Sequence, residues 1–283
     1  MGAKQIRYLL GLVLVLFVAG VLALDAWLEQ RLAGSAILVV LGLVGYLEYS
    51  KMATGRALCL QSLPGFLATA WFLALACLDW GDEVSIPGGG EQELVIAGVF
   101  ALVLLSFLAV LFCSDFSEGA GKIASTVLGA LLCGLFFSFM IRIYCRSEDV
   151  LTGAVFVFGV KLTDIGGYVV GSTIGRVKFL KVSPNKTLEG FLAGFVLVGA
   201  WFGLAANSGY VADLKFGWLP AIALGIILAF SAAIGDLSES LIKRLYGVKD
   251  SGSLLPEFGG VLDIIDSFIF SGFVFWYLLP YWS

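Results

Sequence analysis

Histidine is absent from all 283 residues. That removes the commonest general base near neutral pH and the commonest zinc ligand. Any chemistry must run on carboxylates, lysine and arginine, hydroxyls, or a hard cation held by oxygen. Charge is also scarce: 13% of residues are charged against 60% hydrophobic, and mean hydropathy is +1.00. A soluble domain sits near half apolar and a quarter charged, so this composition specifies an integral membrane protein. Cysteine does not organise the chain. Cys59, Cys77, Cys113, Cys133 and Cys145 are scattered, odd in number and without a CxxC pair, and they read as small apolar packing residues. No internal repeat or low-complexity linker divides the sequence, and nothing in it points to a nucleic-acid partner.

What the chain does have is long apolar runs. Windows at 6–26, 32–48, 58–79, 93–113, 123–143, 150–171, 189–206, 216–234 and 260–280 are each long enough to cross a bilayer. A β-barrel would show shorter, alternating strands. The expected fold is therefore all-α: a polytopic membrane protein with about nine transmembrane helices. The basic start and apolar run at the N-terminus are read as the first span, because the run is long and more spans follow. Residues 1–283 are treated as one membrane domain, with N-terminal spans in 1–145 and the candidate chemistry in 146–283.

With the N-terminus inside, twelve Lys and Arg fall in inside segments. Only Arg31, Arg142, Arg146 and Lys215 fall in outside loops, and Lys161 lies within a span. That bias predicts a cytoplasmic N-terminus and an external C-terminus. A bacterial inner membrane is the expected location. The acidic, Gly-rich loop 79–92 reads as an outside turn, with Asp79, Asp82, Glu83 and Glu91 on a solvated face. Trp276, Tyr277, Tyr281 and Trp282 read as an interfacial aromatic belt.

Polar residues gather in one burst, GDLSESLIKRLYGVKDSGSLLPEFGGVLDIIDS, from Gly235 to Ser267. Asp263 and Asp266 fall within a segment otherwise fit to span, where a carboxylate is costly unless paired, hydrated or bound to a cation. Their i, i+3 spacing puts both on one side of a helix. They suit a divalent metal, or else a buried ion pair with Lys161 or Lys243. Asp236, Ser240 and Lys243 share a helical face, and Glu239 reaches Lys243 at i+4. Lys243, Arg244 and Lys249 could hold phosphates, with Asp236 and Asp250 as hard ligands. The plainer alternative is an amphipathic surface helix. Gly259 and Gly260 allow close approach of backbone or ligand.

A second polar stretch runs from Lys161 to Gly190. Lys161 and Asp164 are one turn apart and could neutralise each other. Gly166, Gly167, Gly171 and Gly175 precede a basic loop with Ser183, Pro184, Lys186 and Thr187. Glycine backbone beside lysine and hydroxyls suits phosphate, but glycines also serve tight helix packing in membranes.

The run S-L-I-K-R-L-Y-G-V-K-D-S-G-S-L-L-P-E-F-G-G-V-L-D-I-I-D, Ser240 to Asp266, resembles the signature of the phosphatidate cytidylyltransferase (CDP-diacylglycerol synthase) family. That signature reads approximately S-x-x-K-R-x4-K-D-x5-P-G-H-G-G-x-x-D-R-x-D. Upstream, Asp164, Tyr168, Gly171, Gly175, Ser183, Pro184, Lys186, Thr187, Glu189 and Gly190 also match the family's order. The chain departs from the pattern at Glu257-Phe258, where the family has Gly-His, and at Ile264, where it has Arg. The resemblance covers the C-terminal half in motif detail.

The resemblance implies that CTP and phosphatidic acid give CDP-diacylglycerol and pyrophosphate, with Mg²⁺ and room for a second cation. It implies catalytic roles for Asp236, Asp263, Lys243 and Arg244, with Asp236, Asp263 and Asp266 toward metal. Ser183, Lys186, Thr187, Glu189, Ser240, Lys249, Asp250, Gly259, Gly260, Asp164 and Tyr168 would meet substrate. The site would face the cytoplasm, where CTP is, with acyl chains left in the bilayer. A homodimer is an allowed assembly. A CTP-dependent polyprenol kinase, a cytidylyltransferase for another lipid and an ion-coupled transporter stay open as alternatives.

Overall fold

The computed structural model describes residues 3–28, 31–55, 59–78, 90–112, 118–147, 149–178, 180–211, 214, 217–252 and 259–279; the side chains of 3–15 and 150 lie outside that description. Among the described residues ten α-helices form: α1 (Ala3–Leu28), α2 (Leu32–Thr54), α3 (Leu63–Cys77), α4 (Glu91–Leu111), α5 (Gly119–Ala130), α6 (Phe137–Arg146), α7 (Val150–Thr173), α8 (Leu188–Ser208), α9 (Trp218–Leu245) and α10 (Leu262–Leu278). A π-helical turn, Leu131–Phe136, joins α5 to α6 in one rod. Each of the nine apolar windows thus has its rod. By length and composition, six rods among the described residues are fit to cross a membrane, and α3 is apolar but shorter. In lipid every backbone polar group must be satisfied within the chain, so long apolar runs have no open alternative to helix.

Helix ends carry local signals. Asp149 caps α7 by accepting from the Leu151 amide at 2.7 Å, and Thr187 caps α8 by accepting from the Gly190 amide at 3.3 Å. α9 has 28 residues, about 42 Å at 1.5 Å per residue, against roughly 30 Å of hydrocarbon. Its last turns, from Asp236 on, therefore have length to emerge from the apolar layer.

Glycine seams bring the rods together. A Cβ on Gly166 would lie 3.1 Å from the Gly194 Cα, and one on Gly225 would lie 2.6 Å from the Val198 carbonyl oxygen. On Gly45 it would lie 2.9 Å from Ile265 Cδ1. Lipid tails are as apolar as leucine, so close backbone packing rather than water exclusion holds such helices. Between the rods lie rings: Phe156 stacks on Phe275 at 4.8 Å, with Phe202 beside it at 6.0 Å from Phe275.

One end of the bundle is locked by polar contacts among α1, α2, α4 and α6. Buried Asp25 accepts from the Tyr144 hydroxyl at 2.6 Å and from the Gly34 amide at 2.8 Å. Glu91 pairs with Arg142 and Arg146. The expectation of a solvated Glu91 is corrected: at the start of α4 its carboxylate meets two arginines from α6, and the Arg142 side chain is buried. Asp79, Asp82 and Glu83 lie outside the described residues, as do Cys113, Lys215, Tyr281 and Trp282. Cys59, Cys77, Cys133 and Cys145 are free thiols. Arg146 also lies over the Trp276 ring, 5.8 Å from its centroid, so that aromatic residue joins the same locked end.

Candidate active site

At the opposite end, the C-terminal ends of α2, α7 and α9 meet the N-terminal ends of α8 and α10. Antiparallel neighbours make this inevitable: each chain reversal returns the next rod's start beside the last rod's finish. The polar burst and the Lys161–Gly190 stretch are brought together here.

Lys243 is more enclosed than Lys161 and Lys186. Its Nζ lies 2.6 Å from Glu239 Oε2 and 2.5 Å from Asp263 Oδ1. The first contact is the i, i+4 pair within α9; the second crosses to α10. Asp263 Oδ2 accepts from the Ser251 hydroxyl at 2.6 Å, the Gly260 amide at 2.7 Å and the Ser251 amide at 3.1 Å. Gly259 supplies the turn above it with φ of +86°, and a Cβ there would lie 2.7 Å from Asp263 Oδ2. Both carboxylate oxygens of Asp263 are thus engaged by protein donors.

Asp266, one turn further, has a different setting. It is buried, and its Oδ1 accepts from the Ser267 hydroxyl at 2.8 Å and the Ser267 amide at 2.5 Å. The charges of Asp236 and Asp164 act on it with the same sign, and Lys161 with the opposite one. Gly235 permits this proximity: a Cβ there would clash with the Asp266 carbonyl oxygen. Asp236, next in α9, pairs with Lys186 from the loop before α8. Lys161 Nζ lies 3.4 Å from Asp164 Oδ2 and donates to the Ile264 carbonyl at 3.0 Å.

Other candidates serve the frame. Glu189 accepts from the Val177 amide at 3.2 Å with both oxygens, and Thr187 is the α8 cap. These contacts tie down the loop that carries Lys186. Ser183 turns that loop, its carbonyl accepting from the Lys186 amide at 3.1 Å. Gly166, Gly167, Gly171 and Gly175 pack against α8 and Thr187, the close helix approach that small residues allow in membranes. Arg244 donates to the Val248 carbonyl at 3.3 Å, Lys249 and Asp250 are exposed, and Ser240 is half-buried on α9. Tyr168 is 76% exposed and does not converge on the cluster. Glu257 and Phe258 lie outside the described residues.

Sequence reasoning missed Glu48, near the end of α2, whose Oε2 accepts from the Leu262 amide at 2.9 Å. It also missed Ser251 and Ser267, which hold Asp263 and Asp266. A lone glutamate in a generic apolar span gives no local signal of such a partner.

Fold and site together define a polytopic α-helical membrane protein with lysines and carboxylates interleaved at one end of its bundle. The Cytidylyltransferase family matches residues 5–282 of the chain, which belongs to that family. The chain is 32% identical over 272 residues to a phosphatidate cytidylyltransferase of Bacillus subtilis, covering 93% of this chain and 96% of the relative. It is 32% identical over 257 residues to one of Staphylococcus saprophyticus, covering 88% and 92%. A phosphatidate cytidylyltransferase of Helicobacter pylori is 42% identical over 127 residues, 43% of this chain and 45% of that protein.

Proposed function

We propose that this protein transfers the cytidylyl group of CTP to phosphatidic acid, forming CDP-diacylglycerol and pyrophosphate for phospholipid synthesis. A phosphatidate oxygen attacks the α-phosphorus of CTP; that P–O bond forms as the bond from the α-phosphorus to the bridging oxygen breaks and pyrophosphate departs. The nucleophile is already ionised near neutral pH, so a chain without histidine suffices. What remains is to neutralise and align two anions. The observation that carries the reading is the set of lysines, each facing a carboxylate at one end of the bundle: Lys186 with Asp236, Lys161 with Asp164, Lys243 with Asp263. Each lysine can exchange its carboxylate for an incoming phosphate, which leaves that carboxylate open to a cation. Family membership and the relatives' names support the same reaction.

Among the described residues, no three acidic side chains already form a metal cluster. Asp266 and Asp236 fit a divalent cation best. Asp266 is a buried carboxylate whose hydrogen-bond donors, among the described residues, come from Ser267, and Asp236 is its electrostatic neighbour. Hard oxygen donors of this kind suit Mg²⁺. When bound, Mg²⁺ would offset charge on the transferring phosphoryl group. Lys186 leaving Asp236 for the triphosphate would free that carboxylate as a ligand. Asp263 would join only after Lys243 moves away.

The Lys and Arg distribution supports a site on the cytoplasmic side, with the N-terminus inside. Purified protein given phosphatidate, Mg²⁺ and CTP labelled at the α-phosphorus should place the label in lipid. Label entering lipid only from the γ-position would identify a kinase instead, and no transfer from either would overturn the reading.

A further inference from the structure

The N-terminal half of the chain reaches the Asp263 network through Glu48. α2 and α10 run antiparallel, and Gly45 lets Ile265 approach, its Cβ position lying 2.9 Å from Ile265 Cδ1. One turn further along α2 stands Glu48; one turn back along α10 stands Leu262. That register sets the Glu48 carboxylate against the start of α10, where amides lack helical partners. Glu48 Oε2 accepts from the Leu262 amide at 2.9 Å. It also lies 3.3 Å from the Ser251 hydroxyl, which donates to Asp263 Oδ2 at the shorter 2.6 Å.

Two glycines make room for it. A Cβ on Gly252 would lie 2.8 Å from Glu48 Cδ, and one on Gly260 would run into Glu48 Oε2 and Ser251 Oγ. Loop 251–252, loop 259–260 and the first turn of α10 therefore close around a single carboxylate from another part of the chain. That carboxylate also faces the N-terminus of α10, where the helix dipole favours negative charge.

We propose that Glu48 is a positioning residue of the site, fixing from α2 the first turn of α10 and the Ser251 hydroxyl that together aim Asp263 at Lys243. This rests on the functional reading above and adds to it a residue that touches neither substrate nor metal. Without Glu48 the start of α10 has no side-chain acceptor at Leu262, and Asp263 loses its fixed register toward Lys243.

The test uses the full chain in lipid nanodiscs, with Glu48→Ala, Glu48→Gln, Ser251→Ala and the Glu48→Ala/Ser251→Ala pair. Glu48→Ala should lower kcat on the order of tenfold, the scale of one hydrogen bond to a charged group, with a smaller change in KM for CTP. Glu48→Gln keeps an acceptor for the Leu262 amide and should recover most of that loss. The pair should lose little beyond Glu48→Ala, because both changes break one network. Amide exchange at Leu262 should quicken on the order of tenfold in Glu48→Ala. Unchanged exchange there, additive losses, or equal loss in the Gln and Ala variants would each overturn the proposal. Wild-type protein inactive on CTP and phosphatidate would overturn the functional reading, while Leu262 exchange would still decide this one.

Discussion

Lys161 Nζ lies 3.0 Å from the carbonyl oxygen of Ile264, reaching from the sixth apolar run of the chain to the last. It sits 4.8 Å from the Phe268 ring centroid and 3.4 Å from the Ser267 hydroxyl, so its stem is packed and its charge is held at the start of α10. Ile264 is where the family pattern has arginine. A cation is therefore present at that turn, delivered by α7 instead of by α10.

Exchange of the two positions tests this substitution. Lys161→Met is expected to lower turnover roughly ten- to hundredfold, the value of a hydrogen bond to a charged group. Adding Ile264→Arg in the same chain should restore much of it. Both variants are to be compared at matched thermal midpoints, so that lost folding is not read as lost chemistry. Unchanged turnover in Lys161→Met would mean that the charge at this turn does not matter, and no recovery in the double variant would mean that an arginine on α10 does not stand in for Lys161.

Lys243 carries a heavier structural duty. Its side chain is 13% exposed, and it neutralises Glu239 at 3% and Asp263 at 14%. Lys243→Met should destabilise the protein by about 3–5 kcal/mol, because it strands buried charge. Adding Glu239→Gln and Asp263→Asn should recover part of the stability and none of the activity. Thermal unfolding in detergent and the transfer assay, run side by side, separate the two effects.

Gly259 is required by its backbone. Its φ of +86° and the 2.7 Å approach of Asp263 Oδ2 to a Cβ position both oppose a side chain. Gly259→Ala should cost about 1–2 kcal/mol from the left-handed backbone alone, and more from contact with the carboxylate. Gly121→Ala is the control: the residue is in α5 with nothing within 4 Å of its Cβ position. That change should be neutral or stabilising by up to about 1 kcal/mol.

The opposite end should affect stability without affecting chemistry. Tyr144→Phe removes the 2.6 Å donor to buried Asp25. The expected loss is about 1–3 kcal/mol, with CTP turnover per folded molecule unchanged. A fall in specific activity would show that the two ends are coupled.

The nine rods were legible because their determinant is local. A run of some twenty apolar residues in lipid must satisfy its own backbone, and helix is what a single run can form. The polar burst was legible for the same reason: charge inside a span is costly, and its concentration after Gly235 stands out from composition alone. The i, i+4 contact of Glu239 with Lys243 follows from helical spacing and was visible too. Tertiary structure alone decided the rest. Lys186 meets Asp236 across 50 residues, Lys161 meets Ile264 across 103, and Glu48 meets Leu262 across 214. Periodicity says which residues share a face of one helix; it is silent on which helix that face will meet. That choice belongs to the glycine seams, where backbones come within van der Waals contact and set the register of each antiparallel pair. Through that register the structure engaged Asp263 with Lys243, left Asp266 beside Asp236, and drew a glutamate from an otherwise featureless span into the site.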